Sequence, residues 1–371
     1  MTEIEVGGDL GQLDAALEAL PNAPAVFVLW PNEGDPHVSK TAKLRRRLLR
    51  LLKEREKPSR LLNLRHTVGR IEYQLTASGL ESAVLHYELT RRHFPKNYLE
   101  LMHLRMPPYV KLILGNEFPR SQITTRLTRT AALYFGPFRS RASAERFESQ
   151  FLDLFQMRRC QEDLMPAPDH PGCIYGEMGM CLRPCQQVVG PAEYTHEVER
   201  VTEFLRTDGR SLADSIGRSR DRLSEEMNFE EAGRQQKRLE KVQEVLKLRD
   251  ELARDVDRFQ GLAITRSVAA GAVELWPVRD GDWQAPLRFS FEVREGKPVS
   301  MDHQLRAALA SVTPRKLSVR DRQEYLALLA RWYYSSWRDG EWLGFESYDE
   351  IPYRKLVNAI SRVARQPAAL P

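Results

Sequence analysis

A chain of 371 residues is long enough for two or three domains with cores of their own, and 42% hydrophobic with 29% charged residues is the composition of an ordinary soluble protein. No apolar run approaches the ~20 residues of a membrane-spanning helix, and the opening MTEIEVGGDL lacks the basic and apolar segments of a secretory leader, so a cytoplasmic protein with no membrane partner is expected. The net charge of +5 is uneven: residues 37–70 hold twelve Lys/Arg against two Asp/Glu and residues 71–160 thirteen against eight, leaving the remainder acidic. A basic region of this kind favours a polyanion, most simply DNA, over the other reading of such counts, a solvated charged surface.

In chain order, the first 20 residues read as a turn and a short amphipathic helix with Leu13, Leu17 and Leu20 on one face. PAVFVLW supplies a strand, PNEGDP a turn and HVS a second short strand. A long basic helix from about Thr41 to Lys57 follows, and Lys43, Arg45, Arg46, Arg47 and Arg50, with Lys40 just before it, are candidate DNA-phosphate contacts. A strand from about Gly69 to Ala77 leads to the helix GLESAVLHYELTRRH. PPYVKLIL, SQITTRLTRT and ALYFGPF read as further strands, and SAERFESQFLDLFQM as a helix with Phe147, Phe151, Leu154 and Phe155 inward.

The most specific stretch comes next. Cys160, Cys173, Cys181 and Cys185 are the only cysteines, spaced C-x12-C-x7-C-x3-C amid Pro and Gly residues that break regular structure. Thiols gathered this way read as ligands of one centre. The spacing lacks the C-x2-C knuckle of structural zinc and accommodates an iron–sulfur cluster, of the 4Fe–4S type, with zinc as the alternative.

Residues 191–256 read as helical almost throughout, ending in an antiparallel hairpin that turns about Met227, Asn228 and Phe229, with Leu239, Val242 and Leu246 on one face of its second arm. From 257 on, GLAITRS, AVELWPVRDGDW and LRFSFEVREG read as strands, followed by helices from about Met301, from Arg320 and from Tyr353. Trp332, Tyr333, Trp337 and Trp342 are expected to form a small core, base stacking being the other reading.

GCIYGEMGMCLRPC, preceded by LYFGPFRS and LFQMRRC, is similar to the stretch that follows the first nuclease domain in the UvrC family, the incision subunits of bacterial nucleotide excision repair. The resemblance extends over about residues 20 to 335. It implies an α+β chain in four parts: a GIY-YIG-like nuclease domain (1–150), a four-cysteine loop (151–190), a helical region with a UVR-like hairpin (191–256), and a small α+β domain (257–371). That last part resembles the segment before the family's RNase H-like second nuclease, whose own activity is expected to be absent.

Position by position, the resemblance also implies a degenerate nuclease site. Lys40 and Arg47 match family residues, but Phe27 stands for the first-motif tyrosine, His37 for the tyrosine taken as general base, Ser39 for a glycine, and His86 for the glutamate that holds a divalent metal. Imidazole is a poor ligand for a hard Mg²⁺ ion, which wants oxygen donors, and neither Glu81 nor Glu88 shares a helix face with position 86. His37 alone, as a base worth about 10²- to 10⁴-fold, would not replace the metal. The expected function is a DNA-binding excision-repair protein with impaired or absent incision; the alternatives are an endonuclease with a remodelled site, using Mg or Mn, and a nucleic-acid-binding adaptor outside repair. MNFEEAGRQQKRLEKV resembles the UVR motif by which the family docks on UvrB, which would make Phe229, Ala232 and Leu239 partner contacts.

Overall fold

The computed structural model describes residues 1–6, 10–53, 64–291 and 300–365, and three antiparallel sheets with helices on their faces make it an α+β protein. The first sheet holds β1 (Thr2–Glu5), β2 (Ala25–Pro31), β3 (His37–Thr41) and β4 (Val68–Leu75) in the order β1-β4-β2-β3. Beside it lie α1 (Leu10–Ala19), α2 (Leu44–Leu52) and α3 (Gly79–His93). AVFVLW is apolar at every position because both its faces are covered. Ala25, Phe27 and Leu29 pack with Leu13, Leu17, Leu44 and Leu48, while Val26 and Val28 pack with Leu85 and Leu89 of α3.

Two sequence expectations change here. The opening turn is instead β1, an edge strand paired from Thr2 to Tyr73, and four residues are too few for alternation to show. The basic helix starts at Leu44 rather than Thr41, because Thr41 is still paired to Ala25 in the sheet; its expected extension over 54–57 lies outside the described residues.

After α4 (Tyr98–Met102), the second sheet holds β5 (Tyr109–Ile113), β6 (Arg120–Thr124), β7 (Ala132–Gly136) and the short β8 (Arg254–Asp255), ordered β6-β5-β7-β8. Its core joins α5 (Arg141–Leu152) and α7 (Pro191–Arg206) to the hairpin of α8 (Arg210–Glu225) and α9 (Phe229–Lys247). Phe147 and Phe151 are buried in it as the helical periodicity predicts, but α5 ends at Leu152, short of the expected Met157, so the buried Phe155 and partly buried Leu154 reach this core from the turn beyond the helix. The cysteine loop, with the single turn α6 (Ile174–Glu177), connects α5 to α7.

The third sheet holds β9 (Gly261–Arg266), β10 (Ala272–Arg279), β11 (Asp282–Trp283) and β12 (Leu287–Ser290), with α10 (Met301–Ala310), α11 (Val319–Tyr333), β13 (Gly340–Gly344) and α12 (Tyr353–Arg365) following. Residues 292–299 of the expected third strand lie outside the described residues. β13 escapes the sequence reading because GEWLG is short and bounded by glycines, yet all of it pairs with β9, from Gly261 to Thr265. The expected aromatic core forms in part: Trp332 is fully buried and Trp342 stacks on Phe259, but Trp337 is exposed, its ring lying over Gly79 so closely that a Cβ there would meet it at 2.6 Å.

α3 is shared between the first and third sheets. Its outer face joins a core with α11, β9, β10 and β11, at whose centre the Glu324 carboxylate is buried. Tyr87 Oη donates to it at 2.5 Å, Tyr98 Oη at 2.6 Å and Arg320 Nε at 2.9 Å. Arg91 closes the group by donating to Tyr87 Oη and pairing with Asp321. Burial, and after it Glu324, pushes the Tyr98 phenol up to about 12, so the phenols remain donors. At the other end of α3, Gly79 N donates to Asp339 Oδ2 at 2.6 Å. Removing the shared acceptor strands two buried hydroxyls, so Glu324→Ala should cost about 3 kcal/mol or more. Glu324→Gln, which keeps an acceptor, should cost less. Urea unfolding checks this, and equal midpoints for Glu324→Ala and the parent would remove the network from the stability of the fold.

Candidate nucleic-acid interface and cysteine centre

Residues directly opposite in an antiparallel pair share a face, so the β2–β3 register sorts the candidate residues. His37 pairs with Leu29 and Ser39 with Phe27, on the face of α1 and α2; Lys40 pairs with Val26, on the face of α3. Phe27 is fully buried with its ring 6.3 Å from that of His37, a packing position with no hydroxyl to offer. His37 is exposed at the sheet edge, and partial burial of its ring lowers its pKa. His86 faces β3 from α3: its pKa is pushed down to about 4, first by burial and then by the charge of Lys40, with Arg331 and His37 adding to this and a hydrogen bond with the Val38 backbone opposing it. Burial and then Arg331 lower the pKa of Lys40 as well.

The structure therefore brings His86 and Lys40 together and adds Arg331 of α11, which the sequence reading passed over in favour of the aromatics around it. Neither nearby glutamate serves this group. Glu88 accepts from Tyr325 Oη at 3.0 Å, and Glu81 accepts from Ala77 N at 2.8 Å in a separate cavity with Glu274 and Arg288, its pKa pushed up to about 7 chiefly by burial.

The α2 cations divide. Lys43, Arg46, Arg47 and Arg50 line a shallow groove of about 340 Å³, whereas Arg45 turns away and donates to Glu18 O of α1 at 3.2 Å. In the α8–α9 hairpin, Phe229 and Met227 are exposed at the tip, Ala232 is buried and Leu239 half-packed into the second core, so only Phe229 of the three expected contacts is open to a partner.

All four cysteines line one small enclosed cavity, and none is in a disulfide. Cys181 and Cys185 are buried, Cys160 is partly so and Cys173 is exposed. Burial pushes the Cys181 thiol up to about 11, with Cys160, Cys173 and Cys185 adding to the shift. Two donors reach these sulfurs: the buried Arg158 guanidinium donates to Cys160 Sγ and the Arg183 backbone amide to Cys181 Sγ, each at 3.4 Å. Among the described residues no three His, Cys, Asp or Glu are arranged to hold a single metal ion.

Comparison with known proteins gives this architecture a family. Residues 108–204, from just before β5 through the cysteine loop to α7, match the family model of the UvrC/Cho excinuclease middle domain. Among relatives, the UvrABC system protein C of Moorella thermoacetica is 28% identical over 324 residues, covering 87% of this chain and 49% of the relative. That of Lachnospira eligens is 28% identical over 290 residues (76% and 47%), and that of Acetivibrio thermocellus 22% over 364 residues (94% and 56%). The chain spans about half the length of these relatives. No solved structure matches it. The match thus defines a protein built on a UvrC/Cho-type middle domain, and the relatives extend the likeness over most of the chain. The chain is thus similar to UvrC proteins over most of its length.

His86 yields a pH signature. The unfolded chain takes up a proton there near 6.5, whereas the folded chain keeps the ring neutral down to about 4, so stability is lost as pH falls through that window. The loss is at most about 3 kcal/mol, reduced by solvent screening at this partly buried position. His86→Leu should flatten the fall in unfolding free energy between pH 6.5 and pH 4. An unaltered pH dependence would mean that the imidazole protonates freely in the folded protein.

Proposed function

We propose that this chain is a UvrC-like, DNA-binding protein of nucleotide excision repair whose N-terminal part is a degenerate GIY-YIG nuclease with impaired or absent incision. The observation that carries the reading is the setting of His86. In the family the matching residue is a metal-holding glutamate; here a neutral imidazole stands beside Lys40 and Arg331, a group that repels a divalent cation and attracts phosphate. Lys40 and the α2 groove would hold the DNA backbone, with Arg47 beside the phosphate nearest the hairpin. A second reading, an endonuclease with a remodelled site, draws on His37, whose lowered pKa and exposure suit a neutral general base.

The same reading gives Cys160, Cys173, Cys181 and Cys185 to an iron–sulfur cluster, supported by their convergence on one cavity under Arg158 and Arg183. Bound there, the cluster would cross-link the loop and supply an electron-transfer centre. The exposed Phe229 at the hairpin tip is the proposed contact with UvrB.

Nicking of damaged and undamaged duplex, with Mg²⁺ and Mn²⁺ supplied separately, tests the central claim. The parent should cut no faster than background with either metal, and His86→Glu combined with His37→Tyr should be the variant that gains activity. Robust metal-dependent nicking by the parent, abolished by Arg47→Ala, would establish the second reading instead.

The cysteines make a separate prediction. Protein purified without oxygen should contain iron and acid-labile sulfide, and Cys173→Ser or Cys185→Ser should lose both and melt at lower temperature. Unchanged metal content and melting in both variants would dissolve the shared centre.

A further inference from the structure

A cleft of about 830 Å³ opens where three segments distant in sequence meet: the turn after α4, the start of α5 and one face of α11. Arg105, Arg139, Arg141 and Arg331 line it, all four exposed, and no carboxylate is among its lining residues. Ala327, Ala330, Arg331 and Tyr334 lie three, one and three positions apart, so one stripe of α11 forms the wall. The alanines leave the space, and Arg331 stands at its rim.

The charges are incompletely balanced. Arg141 is paired with Glu145 at 2.7 Å and Arg139 approaches Glu251 at 3.8 Å while lying over the Tyr334 ring, both as exposed pairs of little energetic weight. The start of α5 is already satisfied, since Asp250 accepts from Arg139 N and Ser143 Oγ at 2.7 Å each. Among the described residues, Arg105 and Arg331 have no ion-pair partner. Guanidinium groups gathered on a concave surface concentrate positive potential there, and their planar forks match the oxygens of a phosphate.

The surroundings distinguish a strand from an isolated anion. Arg331 walls this cleft, and α11, which carries it, packs against α3, the helix that carries His86. We propose that this cleft binds the phosphodiester backbone of a nucleic-acid strand, which runs from Lys40 past Arg331 and on between Arg105 and Arg139. This rests on the DNA-binding reading above and assigns to it a second contact region, built by α11 and the second sheet rather than by α2.

The test is binding of a fluorescein-labelled single-stranded oligonucleotide to the full chain, followed by anisotropy over a range of salt. Arg105→Ala with Arg331→Ala should weaken binding several-fold and flatten the log–log salt dependence by about 0.7 for each phosphate that is no longer neutralised. Arg105→Lys with Arg331→Lys should keep most of the slope, and an unchanged melting temperature in both pairs excludes misfolding. With a 5-bromouracil-substituted oligonucleotide, cross-links should map to peptides containing residues 103–108 or 327–335. If the alanine pair leaves affinity and slope untouched while Arg46→Ala, Arg47→Ala and Arg50→Ala together flatten the slope, the cleft proposal is overturned and the DNA-binding reading stands. If the parent binds no oligonucleotide, both fall. Displacement of the oligonucleotide by polyglutamate of equal charge concentration would make the cleft a general polyanion site and also overturn the proposal.

Discussion

The Glu324 carboxylate is the constraint on which the arrangement of the chain depends. A carboxylate withdrawn from water is costly unless its lone pairs are met, and here two phenols and Arg320 meet them. Because the phenols belong to α3 and α4 and the acid to α11, the condition for burying the charge is also the condition for joining the two halves of the chain. Asp339 repeats the arrangement at the start of α3, where an acid is favoured by the exposed helix amides. α3 is thus held along one edge by α11 and along the other by the valines of β2, which leaves little freedom in where His86 points.

The electrostatic character of the candidate site follows from that placement. His86 could have met solvent or a carboxylate; fixed as it is, it meets the β3 backbone, Lys40 and a guanidinium delivered by the same helix that carries Glu324. Phosphodiester hydrolysis with a metal needs negative oxygen ligands converging on a cation, and this locality is organised in the opposite sense. On the proposed reading, this locality favours phosphate over Mg²⁺. The two readings of the N-terminal part therefore differ less over which residues are present than over which charge the pocket was built to receive.

Local patterns in the sequence carried far in some places and not in others. The apolar run of β2, the inward phenylalanines of α5 and the hairpin turn at Asn228 were all readable, because each is a run, periodicity or turn signal contained within a dozen residues. The convergence of the four thiols was suggested by their crowding alone. What could not be read were pairings across long separations. β1 and β13 are short strands that acquire meaning only beside β4 and β9. Arg331 looked like one more charge in an aromatic run until α11 was set against α3. Arg45 appeared equivalent to Arg46 and Arg47, yet a carbonyl at the end of α1 claims it, since the helix faces of α2 see different neighbours.

The join made by Glu324 also has a history in time. Tyr87 and its acceptor are 237 residues apart in the chain, so at about 5–20 residues per second a ribosome needs about 12 to 50 s between emitting one and the other. Through that interval the first sheet can close over α1 and α2 from nearby residues alone. The outer face of α3, with Leu80, Val84 and Tyr87, has only part of its cover, from Tyr98 and Met102 of α4, until β9, β10 and α11 emerge. A nascent chain of this protein therefore carries a partly covered apolar helix face until its last third is made, and the burial of that face is completed only late in synthesis.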